Sequence, residues 1–508
     1  MTWQLRNRVI RLAAGSVALG VLSACGGSSG GGVSVADGGI RGTGSSVGPV
    51  SGFGSVFVNG VKFSTDSIQN REVESNDGIT TEGLVSKGMI LRVEGEWRDD
   101  GTGTADRLSY DDTLRGPVDN VVADLSGAGE FVDVTVMGQL VRVNRQTVVR
   151  GTTFATLLGN PSITDHVRVS AWRQADGSYR AGYLEVIAPD QTDVELEGSV
   201  TAVDTTQNEL TIGTITVQYD ETSVIFGSGL TEADLGAASA LEVEGRLAGN
   251  ILTATTIDRD DGRRFSRNSV DDIQLTATID TGYSASGSGA RPGEFRVGDL
   301  TVRVTDTTEL DDNITLADLA EGLLVQVEGT FLSDSVLEAS DIELRDSNAE
   351  VEGVVSVVAD NAFFIGGVEV RVVPTTTFTV DDGSDVTLQT LPIGSTTVEV
   401  EGVEREQDNN IFIEALKVEV DDEPANINDR NSFELEGKLR GISPFPGTVT
   451  VLGIQINDST ADYDGGSRAG IVDDFENTSE TIVLEVEYRS SGSGFIADEI
   501  EREENDND

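Results

Sequence analysis

The stretch Val398-Glu-Val-Glu-Gly402 alternates apolar and acidic side chains and stops on a glycine. Near-copies stand at Leu91-Arg-Val-Glu-Gly95, Leu241-Glu-Val-Glu-Gly245 and Val325-Gln-Val-Glu-Gly329, with weaker echoes at Val167-Arg-Val-Ser-Ala171 and Leu484-Glu-Val-Glu-Tyr488. Six occurrences at intervals of roughly 70 to 90 residues mark tandem modules, because self-similarity at a fixed period is the signature of a repeat architecture. Period-two alternation reads as a half-buried strand with valines inward and acids outward.

Working outward from this phrase, each module repeats the same parts. An extended segment opens it, as in Leu196-Glu-Gly-Ser-Val-Thr-Ala-Val203 and Val351-Glu-Gly-Val-Val-Ser-Val-Val358. Two alternating runs separated by glycine follow, as in Val56-Phe-Val-Asn-Gly-Val-Lys-Phe63 and Val449-Thr-Val-Leu-Gly-Ile-Gln-Ile456. Glycine there supplies the positive φ of a tight hairpin, so strands two and three pair. Segments such as Leu230-Thr-Glu-Ala-Asp-Leu235 and Ile314-Thr-Leu-Ala-Asp-Leu319 predict one short helix, with Thr as N-cap. The Val-Glu-Val-Glu-Gly phrase is then strand four, its glycine standing before a closing hairpin. Copies such as Leu252-Thr-Ala-Thr-Thr-Ile257 and Ile413-Glu-Ala-Leu-Lys-Val418 are strand five. The expected fold class is all-β: tandem small five-stranded OB-like β-barrels joined by short linkers, preferred over a sandwich.

Composition agrees. The chain of 508 residues has 59 Gly and only 10 Pro, which suits short strands and tight turns. Its 35 Lys+Arg against 88 Asp+Glu give a net charge of −53, which repels phosphate backbones and excludes nucleic acid as a partner. A single cysteine leaves no disulfide to staple the modules.

That cysteine sets the address. Arg6, Arg8 and Arg11 precede an apolar stretch, Leu12 to Leu22, that ends in Leu22-Ser-Ala-Cys25, the layout of a secretory signal. The last tetrapeptide resembles the bacterial lipoprotein signal, which implies lipidation of Cys25 and attachment to a membrane. By the same resemblance, Gly26 after the cysteine favours the outer membrane or cell surface of a Gram-negative bacterium. The expected divisions are a signal at 1–24, a Gly/Ser tether at 25–47, module 1 at 48–112, module 2 at 113–190 and module 3 at 191–260. Module 4 follows at 271–346, module 5 at 348–421, module 6 at 432–502, and an acidic tail at 503–508.

The run Gly52-Phe-Gly-Ser-Val-Phe-Val-Asn-Gly-Val-Lys-Phe63, the stretch Gly88-Met-Ile-Leu-Arg-Val-Glu-Gly95 and the Glu-Gly…Val-Glu-Gly frames after them resemble the bacterial family called domain of unknown function 5666. The resemblance is strongest in modules 1, 3, 5 and 6. Modules 2 and 4 depart from it, with Gly116 and Pro117 or Thr276 and Ala277 in place of the opening Glu-Gly. It implies secretion or lipidation, carries no catalytic motif and transfers no site residues.

The remaining chemistry is sparse. One histidine, His166, with no second imidazole, makes neither a nucleophilic dyad nor a multi-histidine metal site. Glu399 and Glu401 lie two apart on a strand and are expected to face solvent, where their charge discourages edge pairing between modules. The chain therefore reads as a non-enzyme. Calcium is the one cofactor the sequence offers, at the oxygen-rich junction Asp421, Asp422, Glu423, Asn426, Asn428 and Asp429. Trp97 and Trp172 are the candidate platforms for a glycan. The functional expectation is a cell-envelope or surface lipoprotein serving as an adhesion or scaffold array, with glycans or other envelope proteins as partners. The alternatives are a calcium-stiffened extracellular rod and a glycan-binding array.

Overall fold

The computed structural model describes residues 44–502 apart from 54, 99–100, 125–130, 191–192, 221, 228, 237–239, 260–264, 266, 268–269, 286–291, 299, 312–313, 381–385, 408, 427–428, 465, 479–480 and 493. The signal, Cys25, nearly all of the tether and the acidic tail lie outside the described residues. What is described is all-β, and its sheets include small closed rings of five strands; in modules 2 to 6 a further short strand also pairs with strand five.

Module 2 shows the plan. Strand one, Leu114–Asp124, pairs with strand two, Phe131–Val136, which turns back into strand three, Gln139–Asn144. Strand three runs parallel to strand five, Tyr179–Ile187, which pairs with strand four, His166–Arg173. Strand four pairs with strand one and closes the ring in the order one, two, three, five, four. The other five modules close in the same order, with strands three and five parallel in each. In modules 3 and 4 strand one is split, into Val194–Gly198 with Val200–Asp204 and Asp272–Thr278 with Thr281–Ala285.

The hairpin between strands two and three uses its glycine as expected: Gly60, Gly138, Gly213, Gly298 and Gly453 all have positive φ. The glycine that ends the opening phrase acts differently. Gly95, Gly245, Gly329 and Gly402 sit inside strand four, where its register against strand five slips. A Cβ there would lie 2.1, 2.1, 2.4 and 2.4 Å from a strand-five carbonyl oxygen. Close backbone approach, not the closing turn, requires glycine at these positions.

The short helix is also modified. The segment in module 3 is a single 3-10 turn, Glu232–Asp234, closed by a Thr231 capping box, and Thr315 bonds Asp318 in the corresponding turn of module 4. The α-helices lie in modules 2 and 6, at Phe154–Gly159 and Arg468–Asn477. Three buried threonines hold the loop after strand three by donating to an alanine carbonyl of strand five: Thr147 to Ala181, Thr308 to Ala339 and Thr376 to Ala415, at 2.6 to 2.8 Å.

Valine, leucine and isoleucine fill each barrel, every fully buried one contributing about 1.5–3 kcal/mol relative to exposure. The cores of modules 2 and 3 run together, as do those of modules 5 and 6.

The modules are not strung on linkers alone. The first half of each strand one has an edge that its own barrel leaves unpaired, and another module's strand one takes it. Module 2 pairs with module 3 through Leu114 with Leu196 and Arg115 with Glu195. Module 5 pairs with module 6 through Glu350, Val351 and Glu352 against Glu436, Leu435 and Glu434. Module 1 skips over two modules and pairs in parallel with module 4, Ser45 to Val47 lying along Ile273 to Leu275. Further hydrogen bonds tie modules 1, 2, 4 and 5 together, among them Lys87 Nζ to the Phe378 carbonyl (2.7 Å), Lys417 Nζ to the Arg145 carbonyl (2.6 Å) and Gln146 Nε2 to the Arg345 carbonyl (3.1 Å).

Candidate functional site

The seams between barrels collect the polar side chains that face away from each core. Glu399 and Glu401, on strand four, were expected in solvent. Instead Glu401 is only 7 % exposed and Glu195 fully buried. Alternation placed these acids outside their own barrel correctly; the outside of one barrel is here the flank of another. The expectation that their charge keeps modules apart is overturned as well.

The seam between modules 5 and 6 is a glutamate ladder. Glu350 faces Glu401 on one side and Glu436 on the other, Glu352 faces Glu399 and Glu434 likewise, and Glu434 and Glu436 face Glu487 and Glu485. Directly opposed like charges destabilise a sheet. Burial, then the Glu401 charge, holds the Glu350 carboxyl well above the usual range. Burial, then Glu434 and Glu399, pushes Glu352 up to about 7. One cation answers them from outside the pair: Arg145 of module 2 reaches Glu399 at 2.9 Å and Glu350 at 3.5 Å. Ser347 donates to Glu401 Oε2 at 2.6 Å.

The seam between modules 2 and 3 occupies the same register with other residues. Arg115 stands where module 5 has Glu352, facing Arg168 and Glu195. Most of the acids that answer these arginines come from module 1, and Asp193 of module 3 reaches Arg115 Nη2 at 3.1 Å. Arg115 Nη1 binds Asp77 at 3.0 Å and Asp112 at 3.1 Å, and Arg168 Nε binds Asp112 at 2.9 Å. Tyr110 donates to Asp112 Oδ1 at 2.6 Å, and the Asp112 amide donates to Asp77 Oδ2 at 2.8 Å. Burial, then the Asp77 charge, against Arg168 and Arg115, leaves Asp112 near 7. Asp111, Glu195 and Glu242 form a second buried acidic group that shares Glu195 with the first.

The seam between modules 1 and 4 is uncharged at its centre. Asn59 donates to Ser46 Oγ, the Val47 carbonyl and the Gln274 carbonyl at 2.9 to 3.2 Å, and accepts from Thr276 at 2.7 Å.

Neither tryptophan offers an open ring face, so the platform expectation does not fit their packing. Trp97 is 7 % exposed and packs edge-on against Phe63, over Gly44, where a Cβ would strike its ring. Trp172, equally buried, donates from Nε1 to the Thr276 carbonyl of module 4 at 2.9 Å. One edge of Trp172 lines a cavity of about 290 Å³ shared with Arg173, Phe265 and Arg296. Of the residues expected to bind calcium, Asp421 and Asn426 are exposed, while Asn428 and the side chains of Asp422, Glu423 and Asp429 lie outside the described residues. The carboxylate groups the fold assembles among the described residues are elsewhere, at Asp77, Asp112 and Glu195, at Asp111, Glu195 and Glu242, and at Glu350, Glu399 and Glu401. His166 is buried, and desolvation lowers its pKa.

A family model for a domain of unknown function (DUF5666) matches the chain four times, over residues 115–185, 197–258, 285–343 and 352–419, together more than half of its length. The chain belongs to this family. The DUF5666 copies coincide with modules 2 to 5, so one family repeat corresponds to one barrel, and modules 2 and 4, expected to depart from the pattern, are among those matched. No curated protein shows significant similarity to the chain. In these DUF5666 barrels the opening phrase supplies the seam acids: Glu242 and Glu244 in module 3, Glu399 and Glu401 in module 5. Sequence reasoning missed the seams because pairing between modules leaves no local signal. The nearest one was the alternation of Glu350 and Glu352 on strand one against Glu399 and Glu401 on strand four.

Proposed function

We propose that the chain is exported, lipidated on Cys25 and held at the outer membrane or cell surface of a Gram-negative cell, where its barrels serve as a non-catalytic scaffold and binding array. We read each barrel as OB-like. The ring order with parallel strands three and five, and the turn or helix between strands three and four, favour that reading over a sandwich, whose two sheets face each other without closing. The observation that carries the scaffold reading is the edge-to-edge pairing of strand one with strand one, which makes continuous sheets of barrels in pairs. The return of module 4 to module 1 supports a folded-back array over a linear rod.

The test is fatty-acid labelling and membrane fractionation of the wild type and Cys25→Ser in a Gram-negative host. Label and outer-membrane recovery are expected for the wild type and lost in the variant; an unlabelled wild type would sink the anchoring reading. A glycan-binding role draws its support from the cavity beside Trp172, where three arginines and Phe265 meet. A glycan-array signal abolished by Arg296→Ala would favour it over a scaffold that binds protein.

A further inference from the structure

The hydrogen bonds of the seam between modules 2 and 3 leave one carboxylate without a donor. Arg115 directs its hydrogen bonds to Asp77, Asp112 and Asp193, and Arg168 directs its own to Asp112 and the Asp77 carbonyl. Glu195 is fully buried, and neither of its oxygens accepts a hydrogen bond. Arg115 Nη2 stands 3.8 Å from Oε2, near enough for charge attraction but beyond hydrogen-bond reach. A wholly buried carboxylate without a donor is costly to keep ionised.

Beside it the fold brings two more acids. Asp111, on the segment leaving module 1, and Glu242, on strand four of module 3, are 9 % and 5 % exposed. Each offers an oxygen to a group in which these atoms and one from Glu195 all lie within 4.8 Å of one another. We propose that Asp111, Glu195 and Glu242 bind a calcium ion that fastens module 1 to module 3.

The choice of ion follows from the donors. All three are hard carboxylate oxygens with no imidazole or thiolate, which excludes a preference for zinc or copper. Oxygens that all lie within 4.8 Å of one another can reach one ion at the roughly 2.3–2.6 Å of calcium; magnesium dehydrates reluctantly and is usually held by one or two carboxylates, so a set of three buried ones suits it less. Three carboxylates, some bidentate, supply three to six of the roughly six to eight oxygens calcium takes, and water completes the shell. The site is distinct from the exposed junction around Asp421.

The experiment is calcium titration of the purified protein by calorimetry, with thermal unfolding in chelator and in about 2 mM calcium. The wild type is expected to bind with an affinity in the range of extracellular modules, about 10⁻⁴ to 10⁻³ M, and to gain about 3 °C or more in Tm. Glu195→Gln is expected to remove both the binding and the calcium-dependent gain; should it fail to fold, Glu242→Gln gives the same reading. Magnesium at the same concentration is expected to give less than half the gain. A wild type with no calcium-dependent change in heat or Tm overturns the proposal and leaves Glu195 simply protonated. Unchanged calcium binding in a folded Glu195→Gln also overturns it.

Discussion

The seam between modules 2 and 3 and the seam between modules 5 and 6 are the same joint built with opposite charges. Arg115 and Glu352 hold equivalent positions on strand one, as do Arg168 and Glu399 on strand four, and the facing strand carries Glu195 in one seam and Glu434 in the other. Each seam is answered by a module that is not part of it. Module 1 brings Asp77 and Asp112 to the arginines, and module 2 brings Arg145 to the glutamates. Backbone pairing sets the geometry of the joint, while the third module settles its charge. The difference teaches that the outward positions of a repeat can change sign freely, provided a neighbour changes with them.

The comparison breaks most sharply at Arg115. Arg115→Ala removes the guanidinium shared by Asp77 and Asp112 and leaves two buried acids facing each other. A loss on the order of 3–5 kcal/mol is expected in urea unfolding. Arg145→Met at the other seam is expected to cost less, about 2 kcal/mol at pH 8, because its partners are less enclosed and Glu350 can take up a proton. At pH 5 the loss should shrink, since protonated glutamates need no counter-charge; equal losses at both pH values would refute the protonated ladder.

Glu352 sharpens the same point from the acid side. Burial and the facing Glu434, Glu399 and Asp421, against Arg145, raise its carboxyl to about 7. A carboxyl raised above its unfolded value gives its full stabilising share below that value and loses it as pH climbs through about 7. Wild-type stability should therefore fall between about pH 4.5 and 7.5 by this contribution, and Glu352→Gln should recover on the order of 2 kcal/mol at pH 8 and almost nothing at pH 4. The smallest effect is expected away from both seams. Arg489 and Asp498 pair at 2.9 Å with about half of each side chain in solvent, and Arg489→Ala should cost no more than about 0.5 kcal/mol.

The barrel itself was legible in the sequence because its causes are local. Alternation in Val398 to Glu401 marks a strand face, and Gly138 or Gly453 at positive φ marks a hairpin. The role of Gly402 was legible only as a position, since its cause is the Glu414 carbonyl 2.4 Å from where a Cβ would stand, on a different strand. The helix expected at Thr231 and Thr315 stops after one turn, with Asp234 and Asp318 bonding back to the threonines as at a helix start. The seam acids were hidden for a further reason. A glutamate on the outward face of a strand has the same pattern whether water or another barrel lies beyond it. Only the meeting of distant segments, such as Arg145 with Glu399, distinguishes the two.

The parallel pairing of Gly44–Gly52 with Asp272–Thr278 sets an order of events. Asn59 reaches a partner 215 residues ahead of it, Gln274, with modules 2 and 3 lying between. In free energy that span is cheap, since each doubling of a loop adds only about 0.6 kcal/mol; in time it is not, because module 4 has to be delivered first. A chain emerging from its amino end can complete the pair formed by modules 2 and 3 while the strand edge of module 1 stands open. Module 4 then closes that edge like a clasp, and until it arrives the edge from Ser45 to Val47 lacks its partner.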